Sequence, residues 1–208
     1  MTAYSTLIAA KTTDDSIKNW LNRADLPVTA ILTEAQAEIY QRLRVREMMT
    51  DEAFSFASAA SSKALSTLSG TFLDPVKFVP YQWGEELPYV NPEFFNPGRD
   101  EDGALFEAST PSRWCIIGET AHIDVLLSAA FAGRMMYYAQ LAALGLSNET
   151  NFLTTRYPSL LRHACMWRSY AHMKDAERTR EYKAYMMADI AEANQTNDMF
   201  RRGSYAGN

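Results

Sequence analysis

Five prolines fall within the segment FLDPVKFVPYQWGEELPYVNPEFFNPGRDEDG, residues 72–103. No long helix can pass through it, because each interior proline removes a backbone donor, clashes with the preceding turn and costs about 3 kcal/mol. The aromatic and β-branched residues between the prolines suit short strands instead, and NPGRDEDG reads as an exposed acidic loop tip. The chain is therefore divided into an N-terminal part, a middle that cannot be helical, and a C-terminal part.

Both flanks carry helical spacing. Thr13, Asp14 or Asp15 can cap DSIKNWLNRAD, which places Ile17, Trp20 and Leu21 on one face. Pro27 suits the first turn of a second helix, PVTAILTEAQAEIYQRLRVREM, with Leu32, Ala35, Ile39 and Leu43 as its stripe. Residues 145–157 read as a loop ending at a proline, and Pro158 opens a helix, PSLLRHACMWRSYAHM. KDAERTREYKAYMMADIAEANQ is the next, with Tyr182, Met186, Ile190 and Ala193 along one side.

Between the flanks, FSFASAASSKALSTLSG reads as a strand entering a loop. RWCIIGETAHIDVLL reads as a hairpin about Gly118-Glu119, and FAGRMMYYAQL as a further strand. The expected fold is mainly α with a β insertion (α+β). It comprises a four-helix bundle from residues 1–50 and 152–195, a small β-hairpin or sheet subdomain at 51–151, and an extended C-terminal tail at 196–208.

Composition narrows the class. At 208 residues, 47% hydrophobic and 12% aromatic, the chain can bury a core. No run of apolar residues is long enough for a membrane span, and the opening MTAYSTLIAAKTTDD lacks a signal-peptide pattern, so neither is expected. Two cysteines make no disulfide framework, and a reducing cytoplasm is the simplest compartment of synthesis. The net charge of −5 is uneven: residues 51–151 carry thirteen acidic against five basic groups, residues 152–208 six against nine. That split does not suit a protein clamping nucleic acid over its whole surface, but does suit a subunit whose two ends meet different partners.

Candidate chemistry is sparse. His163 and Cys165 point to nearly opposite sides of one helix, and Cys165 and His172 share a face but stand roughly 10 Å apart in rise. One zinc ion cannot bridge them, HExxH and CxxC patterns are missing, and no metal or cofactor is expected. If the hairpin turns at Gly118-Glu119, Cys115 lies across from His122, close enough for a thiol–imidazole dyad. That pair defines the alternative reading, a small thiol-dependent enzyme or regulatory module, although no oxyanion hole or orienting third group is apparent. Arg42, Arg44 and Arg46 gather at a helix end, where guanidinium forks could meet the acidic tip Asp100, Glu101 and Asp102 of a neighbouring subunit. The terminal DMFRRGSYAGN combines aromatics with arginine, the residue types that anchor interfaces.

Several stretches together resemble a known family. WLNRADL, QRLRVREM, FLDPVKFV, PSRWCIIGETAHI and NFLTTRYPSLLRHACMW follow the order of motifs in head-to-tail adaptor (connector) proteins of tailed bacteriophages, over about residues 15–195. The resemblance implies a non-enzymatic virion protein at the neck, made in the host cytoplasm. It would form a ring, usually dodecameric, docked beneath the portal protein, extending the channel through which DNA passes without sequence-specific binding. It also implies that the C-terminal segment inserts into the portal, giving that role to Met199, Phe200, Arg201, Arg202 and Tyr205. The β insertion, residues 72–110, would face the tail or head-completion proteins. On this reading Leu160, Leu161, Ala164 and Cys165 are helix core, and the apparent site residues beside them are incidental.

Overall fold

A computed structural model of the chain describes residues 3–99 and 102–203, leaving the side chains of 199–203 outside that description. The chain forms two compact units: Met1–Glu47 with Ala142–Asn208, and Met48–Leu141. The second is inserted, in sequence, between the two halves of the first.

Among the described residues the first unit holds six α-helices, three of them very short: α1 (Tyr4–Leu7), α2 (Ile17–Trp20), α3 (Val28–Arg42), α4 (Phe152–Arg156), α5 (Pro158–His172) and α6 (Ala176–Gly203). The expected four-helix bundle is not what forms. Only α3, α5 and α6 among the described residues are long enough to be bundle members, and α5 packs against both of the others.

The missing member is the first helix. Ser16, one residue beyond the expected caps, accepts from the Asn19 N–H at 3.1 Å and starts α2. After one turn Asn22 adopts a left-handed φ of 55°. The Asn22 and Arg23 N–H groups then close onto the carbonyls of Asn19 and Lys18, the bond pattern that ends a helix. A second departure is α4, where a loop was expected. The Asn151 side chain accepts from the Leu153 and Thr154 N–H groups while Thr154 Oγ1 accepts from the Asn151 N–H, a reciprocal capping box. Tyr157, constrained by the proline after it, separates α4 from α5.

The third departure concerns the C-terminus. The expected extended tail is helical as far as Gly203, so α6 runs for 28 residues. Its buried stripe is Met186, Ile190, Ala193 and Asn197, at spacings of four, three and four. The last member is polar and still buried because it has a partner: Asn197 Nδ2 donates to the Arg44 carbonyl at 3.1 Å. The turn between α5 and α6 is tight. Lys174 takes a left-handed φ of 61°, and the Asp175 carboxylate caps α6 by accepting from the Arg178 N–H.

The second unit is built on β1 (Met49–Phe56), β2 (Ser62–Ala64), β3 (Thr71–Pro80), β4 (Glu107–Ala108), β5 (Trp114–Ile117), β6 (Thr120–Ile123), β7 (Leu126–Leu127) and β8 (Phe131–Gln140). They make an antiparallel sheet ordered β1-β8-β3, another ordered β2-β6-β5, and a parallel β4-β7 pair. Pro75 and Pro80 are tolerated because β3 is an edge strand, and its register shifts at bulges on either side of Pro75. Phe54, Phe56, Phe78, Trp114 and Phe131 fill the core, with Phe78 in edge-on or tilted contact with the other four.

Candidate docking surfaces

The end of α3 is held by side chains from α6. Leu43 is extended rather than helical, so α3 stops at Arg42, six residues before the end that the sequence suggests. Asn194 Oδ1 accepts from the Arg44 N–H at 2.8 Å and its Nδ2 donates to the Arg42 carbonyl at 3.0 Å. Asn197 satisfies the next carbonyl, that of Arg44. Two asparagines one turn apart on α6 thus complete the hydrogen bonding of a chain segment leaving its helix. Leu43 and Val45 are buried on alternate positions of that segment, which is why LRVR reads out as extended.

The three arginines singled out in the sequence have different roles here. Arg42 pairs with Glu38 one turn back at 2.7 Å. Arg44 folds onto its own chain, donating to the carbonyls of Tyr40 and Leu43 at 3.0 and 2.7 Å. Arg46 lines a small cleft of about 170 Å³ with Arg156, Tyr157, Thr196 and Asn197. Arg156 in that cleft is paired with Glu47. The structure therefore brings the arginine segment against α6 just before the residues expected to dock. Of those, Met199, Phe200, Arg201 and Arg202 lie on the last turns of α6 with side chains outside the described residues, as is the whole of Tyr205. Asp100 and Glu101 also lie outside the described residues, whereas Asp102 is exposed in the second unit beside Gly103, at φ 81°.

The hairpin forms in the expected register. Gly118 adopts φ 59° at the turn, Ile117 opposes Thr120, and Cys115 opposes His122. Its chemistry runs opposite to activation. Cys115 is fully buried, and burial pushes its thiol up to about 11, so at neutral pH it stays protonated and non-nucleophilic. Cys165 is likewise core, its thiol pushed up to about 12 by burial. Among the described residues no cluster of three histidine, cysteine or carboxylate groups could hold a metal ion. Nor is any helix there long and apolar enough to cross a membrane.

One surface escaped the sequence reading. A groove of about 500 Å³ on the first unit is lined by Trp20, Arg162, His163, Tyr182 and Tyr185 among others. His163 is half-buried and its Nδ1 lies 2.8 Å from Asp189 Oδ2, tying α5 to α6. The Arg162 guanidinium lies 5.1 Å from the Trp20 ring centroid. The signal was present as Tyr182 and Tyr185, an i, i+3 aromatic pair on a helix otherwise rich in charge, and as His163 set apart from the core face of α5.

No curated protein matches the chain. Residues 4–206, which include both units, match the family described as SU10 adaptor protein. The order of motifs along the chain and this near-complete match agree, and the chain belongs to the SU10 adaptor family, the structural adaptor proteins of phage.

Proposed function

We propose that this protein joins the phage head to the tail as a ring beneath the portal, continuing the DNA channel. Membership of the adaptor family over residues 4–206 carries the reading. The build of the first unit supports it. A docking segment needs a rigid base, and α6 is anchored to the end of α3 through Asn194 and Asn197 immediately before Met199. Met199, Phe200, Arg201, Arg202 and Tyr205 then insert into the portal protein. Repetition around a dodecameric ring turns one modest contact per subunit into lasting attachment. Arg46, together with Arg42 and Arg44, meets Asp100, Glu101 and Asp102 of the next copy. Residues 72–110, outside the positions that meet the next copy, face the tail or head-completion proteins. The second unit carries twelve acidic against five basic groups, and lining the channel with it would repel DNA and keep it mobile.

The test is to mix the purified protein with the portal protein of the same phage and image the product by negative-stain electron microscopy. A ring stacked on the portal is expected. A portal left bare at micromolar protein excludes the reading. The second-unit charge is tested separately: Glu85→Lys with Glu86→Lys should slow DNA release from assembled particles, and unchanged release would remove that surface from the channel.

A further inference from the structure

The second unit ends one of its loops in a rigid, exposed aromatic. Pro92–Phe94 form a single 3-10 turn in which Asn91 caps by accepting from the Glu93 N–H at 3.2 Å, while the Phe94 and Phe95 N–H groups bond to the carbonyls of Asn91 and Pro92. Arg113 Nη2 fixes the following residue through the Asn96 carbonyl at 3.0 Å. Pro92 and Pro97 bound the turn and restrict its backbone further. Held there, Phe94 is 73% exposed, more than any other aromatic side chain described. Beside it Glu93 is exposed and has no ion-pair partner among the described residues.

The aromatic groove of the first unit offers the complement. Trp20, Tyr182 and Tyr185 supply flat apolar faces, and Tyr185 remains 45% exposed. Arg162 is exposed, covers the Trp20 ring and has no ion-pair partner among the described residues, whereas His163 is already paired with Asp189. The groove also contains Asp15, so the match of charge is local and falls on Arg162. Tryptophan, tyrosine and an unpaired arginine around a cavity are the composition of an interface hot spot. A cavity of about 500 Å³ accepts one aromatic side chain with room for its flanking backbone. Knob and groove differ in net charge in the favourable sense: the unit bearing Phe94 is strongly acidic, and the unit bearing Arg162 carries fifteen basic against thirteen acidic groups.

We infer that Phe94 of one copy seats in the Trp20–Tyr185 groove of the next, with Glu93 on Arg162. The occupant is a second copy of this chain. Knob and groove lie on different parts of each subunit, so the contact is heterologous and passes from copy to copy until a rotation closes it into a ring. A preformed turn meeting a preformed groove loses little conformational freedom on contact. The inference rests on the proposed ring and names the surfaces that build it.

Disulfide trapping between two singly substituted proteins reads the contact directly. Asn96→Cys places a thiol beside the knob, and Ser159→Cys, exposed at the start of α5, places one in the groove lining without removing an aromatic. The native thiols are buried and do not compete. Oxidation of an equimolar mixture should give the mixed dimer at least about tenfold faster than the mixture of Asn96→Cys with Leu146→Cys, whose position is also highly exposed. Adding Phe94→Ala to the first partner, or Arg162→Glu to the second, should bring the rate down to that control. A mixed-dimer rate no faster than the control, or one indifferent to Phe94→Ala, overturns the inference. If trapping fails while the wild-type protein still forms rings on the portal, this contact is wrong and the adaptor reading stands; if no ring forms, the adaptor reading itself has failed.

Discussion

Gly133 pairs with Phe54 on one side of β8 and Pro80 on the other, and a Cβ added there would lie 2.5 Å from the Val79 carbonyl oxygen and 2.8 Å from Phe78 Cζ. Backbone cannot yield as a flexible side chain can, so Gly133→Ala should destabilise the second unit by about 1–3 kcal/mol, measured by urea unfolding. Loss well below 0.5 kcal/mol would mean that the aromatic core is looser than described. The two thiols make a second single-residue prediction. An unfolded thiol releases its proton near its ordinary value of 9.0, whereas folded Cys165 holds it up to about 12 and Cys115 up to about 11. Between those values the unfolded state gains by ionising, and stability must fall as pH rises. Tyr40, pushed up to about 12 by burial, adds the same sign from pH 10 upward. The urea midpoint should therefore be insensitive to these groups below pH 8 and decline above pH 9, less steeply in Cys165→Ala. Thiol reagents at pH 8 should label both cysteines at least about a hundredfold faster in denaturant than in the folded protein; rapid native labelling of Cys115 would revive a thiol chemistry.

At the scale of elements, the junction of α3 and α6 is the most informative. Asn194→Ala removes the partners of the Arg44 N–H and the Arg42 carbonyl together and should cost about 1–3 kcal/mol. Asn197→Ala leaves the Arg44 carbonyl without its amide donor, and because the two asparagines serve one segment, the double variant should lose less than the sum of the single ones. Thermal unfolding of the three variants reads this, and strict additivity would mean that the two contacts act independently. Asn151→Ala, which dismantles the α4 capping box, should cost about 1 kcal/mol by the same measurement.

These elements also explain what the sequence could and could not disclose. The Gly118-Glu119 hairpin was legible because a two-residue turn with glycine fixes its own register, and α5 because a proline marks its start. The end of α3 was not, since Leu43, Arg44, Val45 and Arg46 fit a helix continuation as well as an alternating extended segment until the two asparagines of α6 are placed beside them. Residues 196–208 were read as an extended tail because they show no apolar periodicity, yet the polar Asn197 continues the buried stripe of α6 through its tertiary hydrogen bond to the Arg44 carbonyl. The first helix was overextended because Ile17, Trp20 and Leu21 carry helical spacing, whereas the left-handed backbone at Asn22 that ends the helix leaves no mark on that spacing.

At the scale of the whole molecule, charge is divided unevenly between the two units. The insertion concentrates negative charge in one unit, while the other carries α6 and the segment that follows it. The family to which the chain belongs is one of structural adaptors. Partner binding is then the property to measure, and shortening α6 is the most direct intervention. Ending the chain after Asp198 retains Asn194 and Asn197 with their hydrogen bonds to the α3 end, so the first unit should keep its fold while losing Met199, Phe200, Arg201, Arg202 and Tyr205. The deciding measurement is portal binding by the full-length and shortened proteins side by side, imaged by negative-stain electron microscopy. Rings on the portal are expected for the full chain and bare portals for the shortened one at equal concentration and equal folded content. Rings of equal occupancy on both would contradict a docking role for the end of α6, and bare portals with both would contradict the adaptor function as proposed.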